Sequence, residues 1–90
     1  MKNQVTLRLS GLCEEIAATA ARLDRLRDRL DAQGALLEEC RLRMLIAETP
    51  LAAGELHGAA LGYGRLEAQV HDLERLLGEL EADARHLTDP

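Results

Sequence analysis

ETPLAAGE, residues 48–55, separates two long stretches of helical periodicity, and its conformation decides the fold. Thr49 carries the side-chain oxygen that a helix N-cap needs, and Pro50 suits a first helical position, where its missing N–H would have had no partner. The same proline disfavours helical geometry at Thr49. The first helix therefore ends near Ala47 or Glu48, and the chain turns back on itself.

Before this segment, Leu9, Ile16, Leu23, Leu30, Leu37 and Met44 recur every seven residues, with Leu12, Thr19, Leu26, Gln33, Cys40 and Ala47 three places after each. This is the a/d pattern of a coiled-coil seam. After it, Leu56, Tyr63, Val70, Leu77 and Ala84 form one row and Ala59, Leu66, Leu73, Leu80 and Leu87 the other. Two long helices follow from the period. One antiparallel register pairs every a with a d: Met44 with Ala59, Cys40 with Tyr63, Leu37 with Leu66, Leu30 with Leu73, Leu23 with Leu80 and Ile16 with Leu87. It also sets Arg27 beside Glu74 and Arg22 beside Asp83, exposed pairs that select orientation more than they stabilise. The expectation is an all-α antiparallel two-helix coiled-coil hairpin, with helices over about 4–48 and 55–88 and a turn over about 48–55. Such a hairpin assembles further into a four-helix bundle, as a homodimer or a hetero-complex.

Composition agrees. The 90 residues hold one tyrosine, no phenylalanine and no tryptophan, so leucine and alanine must do the packing. β-Branched and aromatic residues are too sparse for a sheet. Gly34 lies inside the first heptad run without shifting its phase, which predicts a flexible point rather than a second turn. Gly54, Gly58 and Gly62, in AAGELHGAALGYG (residues 52–64), are spaced four apart. In a helix they form a bare strip, expected to give close packing against Leu37, Cys40 and Met44. Cys13 and Cys40 stand too far apart on one helix to pair with each other, and both are expected as buried, reduced thiols.

The sequence excludes much chemistry. His57, His71 and His86 are dispersed outside the seam, with no HExxH or CxxC, so no metal is expected. Glu14-Glu15 and Glu38-Glu39 are adjacent pairs whose side chains diverge on a helix and do not share a substrate. No phosphate-binding loop follows a strand. No enzyme, catalytic residue or cofactor is therefore expected. RLDRLRDRLD (residues 22–31) interleaves arginines with Asp24, Asp28 and Asp31, which predicts ion pairing on the helix surface. With a formal charge of −5, the chain is not expected to bind nucleic acid. No apolar run is long enough to span a bilayer, and the opening MKNQVTLRLSGLCEEI lacks a signal peptide's apolar core, so a cytoplasmic protein is expected.

Apolar residues outside the seam indicate what the hairpin does. Leu42, Leu45 and Ile46 before the turn, and Leu51 and Leu61 in or after it, exceed what two helices can cover. Val5, Leu7, Leu9 and Leu12 form an apolar overhang beyond the end of the second helix in the register above. Surplus apolar surface of this kind marks an interface. These residues are the candidate partner-binding set for a protein-interaction module, adaptor or chaperone. The alternatives are a structural homodimeric four-helix bundle and a bundle binding a small ligand or nucleotide through Arg22, Arg25, Arg27 and Arg29.

LLEECRLRM (residues 36–44), Pro50 and RLEAQVHDLERLL (residues 65–77) resemble, in that order, the small helical-hairpin co-chaperones of type III secretion needle subunits. The likeness spans Leu36 to Leu80, and this chain has a longer first helix and more glycine than the family. It implies a cytoplasmic co-chaperone that pairs with a helical-repeat chaperone to hold needle subunits apart. Secreted WxG hairpins are further away, because this chain has no tryptophan.

Overall fold

The computed structural model describes residues 2–89, with side chains described for 4–89. Two helices, α1 (Lys2–Ala47) and α2 (Pro50–Thr88), pack against each other as an antiparallel hairpin with extents of 68 × 15 × 14 Å. No strand occurs among the described residues.

Only Glu48 and Thr49 connect the helices. The Glu48 N–H still donates to Met44 O at 3.0 Å, and Glu48 then takes a φ of 49°, the left-handed conformation with which many helices end. Thr49 is extended, with φ −103° and ψ 157°, and its Oγ1 accepts from the Ala52 N–H at 3.1 Å. Helix α2 thus begins at Pro50 rather than near residue 55. The cap and the preset φ of proline start it there, and burial of Ala52 against α1 holds the added turn.

That early start moves the register by one heptad. Leu37 and Cys40 pack with Ala59, which the sequence reading had set against Met44. Leu23 packs with Val70 and Leu73, where Leu80 had been its expected partner. Gly34 sits under the Tyr63 ring, and Arg43 Nη1 lies 3.7 Å from Glu55 Oε2. The physical reason is the turn. A two-residue link can join only helix ends at the same level, whereas the expected register displaces α2 by about 10 Å and needs a long loop.

The buried residues are Thr19, Leu23, Leu37, Cys40, Ala52, Ala59, Val70 and Leu73, and all fall on seam positions. Six of the eight form two small clusters, one of Leu23, Val70 and Leu73 and the other of Leu37, Cys40 and Ala59. Between them Gln33, a polar seam residue, donates from Nε2 to Ala59 O at 3.4 Å. A Cβ at Gly62 would lie 2.9 Å from that Nε2, so the glycine makes room for the glutamine. Gly34 lies beside Tyr63, whose ring comes within 3.4 Å of the Cβ position. At Gly62 a Cβ would clash with the glutamine, whereas at Gly34 it would reach van der Waals contact with the ring.

The expected glycine strip does not form as a unit. Only Gly62 faces α1, while Gly54 and Gly58 are exposed and a Cβ on either would meet nothing within 4 Å. The small residues that admit α1's bulky ones are instead Ala52 and Ala59. Cys40 is buried as expected but Cys13 is exposed, because it lies beside the seam rather than in it.

Candidate protein-binding surface

The turn positions the most exposed large apolar side chains. Leu42, Leu45 and Ile46, spaced three and four apart on the outer face of α1, are 58, 74 and 85% exposed. Leu51, 74% exposed, stands across the two-residue link. Ile46, Ala47, Leu51 and Ala52 floor a cleft of ≈ 280 Å³ at this end, with Arg43 and Glu55 on its rim. Arg43 is held there from both sides, 3.7 Å from Glu39 and 3.7 Å from Glu55. The capped turn thus displays a compact apolar tip with one charged edge.

The other sequence candidates do not join it. Leu61 is exposed on the outer face of α2, ten residues and roughly 15 Å beyond Leu51. Val5 and Leu7 are exposed at the opposite end of the rod. Leu9 and Leu12 are half-buried, since the heptad shift carries α2 far enough to reach them, and this removes them from the overhang. The bare overhang is therefore shorter than expected and lies before Arg8.

Sequence reasoning missed the flank of the hairpin. Arg22, Arg25 and Arg29 line one cleft of ≈ 380 Å³ with Leu26 and Gln69, and none of the three is ion-paired among the described residues. The expected surface pairing with Asp24, Asp28 and Asp31 is absent among the described residues. Arg27 lies on the other flank, where its Nη2 is 3.8 Å from Glu74 Oε2. The expected Arg22–Asp83 pair does not form, since the heptad shift takes Asp83 past Arg22.

A further cleft of ≈ 390 Å³ on the same flank is lined by Gln33, Leu36, Cys40, Arg43, Gly58 and Ala59, among others. Leu36 and Leu76, both partly exposed, border the flank from either helix. His57, His71 and His86 are all exposed, and no group of residues suited to a metal ion occurs among the described residues. Glu38 pairs with Arg41 and Glu39 with Arg43, so these adjacent glutamates face separate partners. No helix among the described residues is long and apolar enough to cross a membrane. No protein-family model, curated protein or solved structure matches the chain.

Proposed function

We propose that this chain is a non-enzymatic interaction module, an adaptor or co-chaperone that holds a partner protein on its apolar tip. The observation that carries the reading is the exposure of Ile46 and Leu51 over one cleft, with Leu42 and Leu45 exposed beside it on α1, on a turn anchored by its own cap. Exposed apolar surface concentrated at one place marks a binding site. A cleft with an apolar floor and a charged rim suits an amphipathic helix, whose apolar face would cover Ile46 and Leu51 while its polar edge meets Arg43 and Glu55. The resemblance to needle-subunit co-chaperones agrees with such a role, and a cytoplasmic step of protein secretion is the setting it suggests.

The test compares affinity capture by the native chain with capture by Ile46→Asp and Leu51→Asp. Both residues are exposed, so the variants should keep native helicity and shift stability by no more than about 0.5 kcal/mol. A specific partner should be lost with either change, and hydrogen exchange on the native complex should show protection at residues 42–55. A partner retained equally by both variants would exclude the tip.

A further inference from the structure

Three clefts of this molecule share one side. Those at the tip, beside Gly58 and over Arg22, Arg25 and Arg29 all open on the flank containing Leu36, Gln69 and Leu76. The opposite flank carries Tyr63 against Gly34 and the Arg27–Glu74 pair. We infer that the open flank is where a second copy of this chain docks, forming a parallel two-fold pair with the two tips at the same end.

The argument is self-complementarity. A two-fold axis along the rod sets α1 of one copy against α2 of the other and preserves the level along the rod. Gly34 with Tyr63 and Arg43 with Glu55 establish which residues share a level. At the middle of the flank, Leu36 then faces the gap at the partner's Gly58. A Cβ at Gly58 would meet nothing within this chain, so that gap is open to a knob from outside. Arg25, with no ion pair among the described residues, comes level with the partner's Asp72, whose Oδ1 also accepts from Arg75 Nη2 of its own chain at 3.3 Å, and Arg22 comes level with the neighbourhood of the partner's Leu76 and Glu79. Apolar knob meets glycine gap, and cation meets carboxylate, without moving either hairpin.

Area supports the same occupant. The chain exposes 6770 Å², whereas a compact monomer of its 9.9 kDa mass would expose about 5,200 Å². The clefted strip from Arg22 to Thr49 runs about 40 Å and has a footprint on the order of 600 Å² before its relief is counted. Doubled over two copies, that reaches the lower range of stable interfaces, roughly 1,200 Å² in total. No large side chain is fully buried in the hairpin, so the pair would also supply the interior that two helices lack.

Sedimentation equilibrium of the full chain tests this independently of any tip partner. The native chain should be a dimer at micromolar concentration. Gly58→Leu should weaken dimerisation at least about tenfold while leaving helicity equal or higher, because leucine is the better helix former and nothing in the chain obstructs it. Arg25→Asp and Asp72→Arg should each weaken the dimer, and the two together should restore it, as a pair in direct contact requires. A monomer at 100 µM-scale concentration (about 1 mg/ml for this mass) would overturn the proposal. So would a dimer indifferent to Gly58→Leu, a charge swap without rescue, or a different protein displaced from this flank by Gly58→Leu while the chain itself stays monomeric.

Discussion

Glu48 is the one non-glycine residue with a positive φ among those described, and it occupies the position after α1 where glycine is usual. A β-carbon there costs about 1 kcal/mol, partly offset in a glycine variant by the greater freedom of its unfolded chain. Glu48→Gly should therefore raise stability by about 0.5 kcal/mol, read as a higher urea midpoint at constant slope. Its neighbour acts in the opposite direction. Thr49→Ala removes the hydroxyl that accepts from Ala52 and should cost about 1 kcal/mol in the same assay. The two cysteines separate by exposure. Cys13, being exposed, should react with a thiol reagent first, and Cys40 only as fast as the seam opens, so one equivalent should react before the other. Equal rates would show that the Leu37, Cys40 and Ala59 cluster is not closed in solution.

At the scale of the element, the question is why a stretch with four glycines remains helical. Gly54, Gly58, Gly62 and Gly64 together cost α2 roughly 3–4 kcal/mol relative to alanine. The segment is helical because Ala52, Leu56, Ala59 and Tyr63 turn one face to α1, where Leu37 and Cys40 receive them. Not all the glycines serve that packing. Gly54→Ala should stabilise the hairpin by up to about 1 kcal/mol, since the new methyl meets nothing. Gly62→Ala should yield distinctly less, because its methyl displaces the Gln33 amide from Ala59 O. Thermal unfolding of the two variants side by side checks this ordering. If they were equal, the Gln33 arrangement would contribute nothing to the native state.

For the whole molecule, a rod 68 Å long with a radius of gyration of 20.0 Å has little interior. The tip and the open flank make separable predictions. Ile46→Asp should abolish capture of a tip partner, while Gly58→Leu acts on self-association. If both readings hold, the parallel pair brings two tips together, and a partner presenting two helices should bind more tightly than one presenting a single helix. A ratio unchanged when dimerisation is abolished by Gly58→Leu would show that the tips act alone. The sequence made the tip residues legible because Leu42, Leu45, Ile46 and Leu51 break the heptad pattern. It hid the flank, because Leu36, Gly58 and Arg25 become one surface only when two helices are placed side by side.

The heptad rows and the Thr49-Pro50 pair were enough to specify two helices, their seam and the reversal between them. These are local properties: periodicity selects the buried face, and a cap with a preset φ starts a helix wherever it occurs. The register was not local. A seven-residue repeat lays apolar on apolar equally well after a shift of one heptad, so the pattern alone cannot distinguish the alternatives. The two-residue link and the fit of Gln33 into the space at Gly62 decided it, and with it which residues of the overhang and the flank remain open.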